Sequence, residues 1–112
     1  MSAAIPAHLL IHSATLYDVE KDEYGPTQDK INSELVRVRF EPSTRIIKSA
    51  NGTDIQCTAR LFVDMVNSYP ANVVISVGQA ILWDGQRYIV QDVRRLYDEI
   101  KLHHLEVELS DG

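Results

Sequence analysis

Cysteine is almost missing from this chain: Cys57 stands alone, so no disulfide can close within it and packing and hydrogen bonds must hold the fold, as suits a reducing compartment. Long apolar runs are missing as well. No stretch approaches the roughly 20 residues needed to cross a bilayer, and the N-terminus has no charged segment followed by an apolar one, so neither a membrane span nor a secretory signal is expected. Basic charge is scarce: eleven Lys and Arg stand against sixteen Asp and Glu, a formal charge of −5. That balance disfavours a protein that tracks phosphates, because nucleic-acid affinity comes largely from cationic side chains displacing counterions. A phosphate-cradling glycine loop, Gly-x-Ser-x-Gly and His-Glu-x-x-His are all lacking, as are internal repeats and low-complexity tracts. The expectation is a protein that is not an enzyme and needs no cofactor.

What is present reads as β-structure. With 112 residues, 45% of them apolar, the chain fits one domain with a modest core. Asp84-Gly85 lies between Ala80-Ile-Leu-Trp83 and Gln86-Arg-Tyr-Ile-Val90, and Asp-Gly between β-branched and aromatic runs is a strong hairpin signal. A two-residue type I′ turn needs positive φ at both positions, which Gly85 adopts freely and Asp84 tolerates. Further on, His103, Leu105, Val107 and Leu109 alternate with His104, Glu106 and Glu108, which predicts a strand with one core face and one wet face. Glu34 to Glu41 alternates too, with Val36, Val38 and Phe40 inward and Arg37, Arg39 and Glu41 outward; Pro42 ends its ladder. From Asp54 to Asp64, Ile55, Cys57, Ala59, Leu61 and Val63 share one face, with a helical turn still open near Met65 and Val66. Asn51-Gly52 marks another turn.

Elsewhere the pattern is less decisive. Residues 1–7 read as a flexible tail, and His8 to Tyr17 as a strand buried on both faces or a short helix. Residues 18–32, acid-rich and interrupted by Gly25-Pro26, read as a long acidic loop or arm. It is either a solvated hairpin extension or a channel- or partner-contacting element carrying Asp18, Glu20, Asp22, Glu23, Tyr24 and Asp29. Val90 to Lys101 fits both a strand and an amphipathic helix; a strand to about Arg95 followed by a loop is preferred, because the hairpin needs two arms of comparable length. About six strands with turn signals every ten residues or so predict a mainly β, single-domain antiparallel barrel or sandwich with a long loop and little helix.

The chemistry-bearing residues have bland explanations. His103 and His104 point to opposite faces of a strand, and His8 with His12 lacks a Cys or Glu at motif spacing, so no metal site is expected. Cys57 lies on an apolar face, and Asp64, Asp84, Asp92 and Asp98 fit turns and wet strand faces. Trp83, beside the hairpin turn, reads as a core cap or an interface anchor, with Arg37 and Arg39 as further interface candidates.

Four pieces of the chain together carry a resemblance: Thr58 to Pro70, then Val77-Gly78 with Ile81 to Val90, then Leu96-Tyr-Asp98, and the Leu102-His-His-Leu-Glu-Val-Glu-Leu109 ending. Over roughly its C-terminal half, and more weakly over Glu34 to Pro42, the sequence resembles the small minor capsid or head-tail connector proteins of tailed bacteriophages and prophages, which include head-closure or stopper proteins. The resemblance implies a small β-barrel without catalytic residues, whose long loop can reach towards the channel axis. It implies a virion subunit, assembled in the bacterial cytoplasm. Copies form a ring at the head-tail interface, which contacts the portal or adaptor and the tail proteins and closes the packaged head. DNA would be a passing, non-specific neighbour there, and no membrane is involved. A tail-completion or tail-terminator-like adaptor, and a nucleic-acid or peptide-binding β-barrel, are the alternatives.

Overall fold

A computed structural model describes residues 7–21, 24–48, 51–97 and 102–112. After a 3-10 turn at Ala7–Leu9, six strands follow in order: β1 (His12–Lys21), β2 (Thr27–Lys48), β3 (Asp54–Asp64), β4 (Ala80–Trp83), β5 (Gln86–Tyr97) and β6 (Leu102–Asp111). They close into an antiparallel barrel in the order β1-β2-β3-β6-β5-β4, β4 returning to β1. Of the two expected architectures, barrel or sandwich, the strands form the barrel. Residues 1–6 of the anticipated tail lie outside the described residues, as do Asp98 to Lys101.

The core follows from strand alternation. Leu16, Leu35, Val38, Leu61, Val63, Val90, Leu105, Val107 and Leu109 are fully or almost fully buried, and they sit on the faces that opposed residues share across the ladders: Leu61 opposite Val107, Val63 opposite Leu105. Cys57 is buried beside Ala59, as its alternation predicted. Removing such a side chain, as in Leu61→Ala, typically costs about 2–5 kcal/mol.

Several expectations need correction. The stretch 18–32 is the hairpin extension and not a structureless loop: Asp18 to Lys21 extend β1 and Thr27 to Asn32 begin β2, paired from Asp18↔Lys30 to Lys21↔Thr27, so the segment is a two-stranded ribbon. Its alternation is hidden in sequence because most of its residues are polar and exposed, with only Val19, Tyr24 and Ile31 apolar between Asp18 and Asn32. Val36 does not point inward but is exposed. Ser13 pairs with Val36 and His12 with Val38, leaving Arg37 as an unpaired bulge residue with φ 57°; the extra residue moves the inward phase from Val36 to Leu35. Finally, the predicted wet face of β6 is largely covered: His104 and Glu108 are buried.

β2 is unusually long at 22 residues, about 70 Å if straight, whereas the longest dimension of the molecule is 45 Å. It runs on through Pro42, which sits opposite Ala59 instead of ending the ladder; it must bend, and its register breaks at Asn32, at the Arg37 bulge and between Pro42 and Arg45. Its first part forms the ribbon with β1, and its last part, Arg45 to Lys48, pairs with Asp54 to Cys57 of β3 to form a second ribbon.

Candidate functional site

The hairpin turn is built as expected. Trp83 pairs with Gln86 across Asp84 and Gly85, whose φ values are 51° and 78°, the double positive φ of a type I′ turn. Trp83 stacks on Phe40 with ring centroids 4.1 Å apart and an 11° interplanar angle, and His12 meets it edge-on at 5.2 Å. Phe40 also packs on Tyr88, so this half-buried indole caps one side of the core. The Phe40 N–H donates to His12 Nδ1 at 2.9 Å, which commits that ring nitrogen to the fold.

The first ribbon is tied to the barrel at two points. Asp18 accepts from Gln79 Nε2 at 2.8 Å and from Asn32 Nδ2 at 3.1 Å. Arg87 grips both oxygens of Asp29, at 2.7 and 2.9 Å. That hydrogen bonding, more than the opposite charge, holds the Asp29 carboxyl below its ordinary value and raises Arg87. Glu20 pairs with Lys30 at 3.0 Å, both well exposed. Tyr24, next to the tip, is 95% exposed, and Ile31 is exposed on the ribbon. Asp22 and Glu23 lie outside the described residues. The three described carboxylates of the ribbon are thus engaged within the chain.

A second constellation had no local signal. The side chain of Glu108 is 1% exposed, and its Oε1 accepts from Arg45 Nη1 at 3.1 Å and Arg60 Nε at 2.9 Å, residues 63 and 48 positions away. Its Oε2 has no hydrogen-bond partner. The pair of guanidinium groups joins the second ribbon to β6. Burial above all, then the charges of Glu108 and Asp92, pushes the Cys57 thiol up, with Arg45 opposing, so this sulfur is a packing group and a poor nucleophile. Burial, then Asp111 and Asp84, raises Tyr88. Among the described residues no three His, Cys, Asp or Glu side chains converge as metal ligands.

A third feature is the barrel mouth. After β3 the chain turns back, and Asp64, fully buried, accepts from Asn67 Nδ2 at 2.7 Å while its own N–H donates to Ser68 Oγ at 2.9 Å. Ser68 Oγ donates to the Arg37 carbonyl, and Val36 and Tyr69 exchange backbone hydrogen bonds of 3.0 and 2.9 Å. The turn is thereby clipped onto the bulge. Residues 72–75 then cross the barrel end, leaving a groove of about 400 Å³ lined by Met65, Val66, Val73, Val74, Arg95 and Leu105. Of the expected interface residues, Arg37 meets the turn through its backbone carbonyl and is not among the residues that line the groove. Arg39 pairs with Glu41 at 2.6 Å and donates to the Leu9 carbonyl at 3.3 Å, so it braces the N-terminal turn instead.

No curated protein matches this chain. Among solved structures it is similar to the phage-like element PBSX protein xkdH from Bacillus subtilis, at 14% identity over 89% of this chain and 92% of that one, with a TM-score of 0.47. The sequence matches the minor capsid protein family across residues 6–109, from just before the 3-10 turn to the end of the core-facing part of β6. The barrel up to Leu109 of β6, both ribbons and the clipped turn therefore fall within one family match, and the chain belongs to the minor capsid protein family.

Proposed function

We propose that this protein is a structural subunit of a tailed phage or prophage virion that forms a ring at the head-tail connector, closes the packaged head and offers the surface on which the tail docks. The observation that carries this reading is the family match over residues 6–109. A closed barrel supports it, because closure removes the free strand edges that would otherwise pair indiscriminately, while the two ribbons keep edges available for chosen neighbours. The polar clusters have structural roles that fit a subunit without catalysis: Asp64 organises a turn, and Glu108 fastens a ribbon. The portal or adaptor protein and the first tail proteins are the partners, and DNA passes by without specific contact. The acid-rich first ribbon suits that setting, since carboxylates repel phosphates and favour sliding over sticking.

Electron microscopy of particles made without this subunit tests the reading. Filled or leaking heads that lack tails are expected, with free, well-formed tails beside them. Intact heads joined to misshapen tails would place the protein at the tail end instead, and normal joined particles would refute the connector role.

A further inference from the structure

The staggered ladders of the barrel leave strand edges overhanging, and two of them contrast. β2 has no described strand beside it on the β1 side beyond Val38, but the Phe40 N–H is taken by His12 Nδ1 and Pro42 has no N–H to offer, so that edge is blunted. β5 is different. Its pairing with β4 covers Gln86 to Ile89, and Val90 exchanges backbone hydrogen bonds with Gly78 and Gln79; from Gln91 to Tyr97, among the described residues, no segment pairs with it on that side. Roughly 20 Å of strand is thus backed by β6 on one flank alone, and it contains no proline.

The barrel-mouth groove opens beside this edge. Val93 packs on the core, Arg95 two residues on lines the groove, and the other wall, residues 72–75, leads into the contact of Gly78 and Gln79 with Val90. Val66 and Val74 there are 73% and 65% exposed. A strand added to β5 would send alternate side chains towards that groove, the arrangement in which backbone bonding gives affinity and a side-chain pocket gives selectivity. Charge narrows the occupant. Arg95 faces no carboxylate among the described residues, and exposed Arg94 comes only within 3.7 Å of Glu106. A second copy paired about the middle of this edge would set Arg94 and Arg95 against their own counterparts, and Asp18, Glu20 and Asp29 of the first ribbon are already engaged within the chain. We infer that the free edge of β5 takes an extended segment of a different polypeptide, with an apolar side chain in the groove and an Asp or Glu opposite Arg95. The inference rests on the connector reading for its setting, an assembled particle, and adds the surface that holds a neighbour there.

The test uses full-length protein in purified particles, with the photoreactive residue p-benzoylphenylalanine in place of Val74; after irradiation the captured peptide is identified by mass spectrometry. A segment of another polypeptide that contains Asp or Glu is expected. Adding Arg95→Glu, at an exposed position where the urea midpoint of the free protein should not move, is expected to reduce the product at least about fivefold by placing like charges face to face, and exchanging the captured carboxylate for Lys should restore it. Amide hydrogen exchange from Gln91 to Tyr97 should slow in the particle relative to the free protein. Capture of a second copy, no capture at all, a yield indifferent to Arg95→Glu, or unchanged exchange along β5 overturns the strand addition and leaves the connector reading standing. Absence of the protein from purified particles overturns both.

Discussion

The buried carboxylate of Glu108 predicts an asymmetry that can be measured. Its side chain is 1% exposed, whereas Arg45 and Arg60 are 44% and 25% exposed, so the two cations retain contact with water and the anion does not. Glu108→Gln keeps the shape and leaves two guanidinium groups that can turn towards solvent; the loss is that of charge-assisted hydrogen bonds, about 1–2 kcal/mol. Either Arg45→Met or Arg60→Met leaves one cation on the carboxylate and costs a similar amount. Replacing both strands a buried anion beside an oxygen, Oε2, that already has no donor, and breaking a buried pair in that way costs about 3–5 kcal/mol. For a chain of this size that is a large part of a total stability of about 5–15 kcal/mol, with a melting temperature lower by roughly 12–20 °C. Urea unfolding of the wild type, the three single variants and the double variant closes the comparison. A double arginine variant that loses no more than Glu108→Gln, or whose loss equals the sum of the two single losses within about 0.3 kcal/mol, as independent sites give, would refute the stranded anion.

Other consequences are simpler to check. At the bulge, Arg37→Gly should be neutral or stabilising by up to about 1 kcal/mol because it relieves a positive φ, while Arg37→Val should destabilise by about 1–2 kcal/mol; chemical denaturation compares them. Asp29 is held below the ordinary carboxylate range, so its bond to Arg87 stabilises the folded ribbon fully above that range and is lost as pH falls through the lowered folded value; carboxyl NMR titration should show the depressed midpoint, and Arg87→Gln should return it to the ordinary range. Trp83 is the only tryptophan, so Phe40→Leu, which removes its stacking partner, should shift the emission of the folded state towards longer wavelength, with no such shift on Tyr97→Phe.

Much of the architecture was legible because strand alternation survives wherever one face is buried. The phases of β3 and the type I′ turn at Asp84-Gly85 follow from side-chain period and φ preference alone. β5 runs on to Tyr97, past the expected end near Arg95, so the helical spacing of Val93, Leu96 and Tyr97 describes residues on a strand. What stayed hidden was set by distant partners. The first ribbon has too few apolar residues to show a strand period, so the sequence leaves a hairpin extension and a contacting arm both open, and only the backbone pairing shows the hairpin. Arg37 broke the inward phase of β2 because the turn at Ser68 and Tyr69 docks there, a contact between segments more than thirty residues apart. Glu108 read as wet because nothing near it in sequence announces Arg45 and Arg60. The barrel mouth fell in a stretch, 65–75, whose polar and Pro residues suggested only an ending.

The uninterrupted course of β2 has a mechanical corollary. One covalent segment of 22 residues runs from the first ribbon through the barrel wall to the second. A tug on either ribbon is therefore conveyed to the other along peptide bonds, without crossing an interface of packed side chains. The regular pairing along this tether is interrupted at three register breaks, at Asn32, at Arg37 and between Pro42 and Arg45. A particle that must register engagement on one side of a subunit and respond on the other has, in this strand, a transmission shaft already in place.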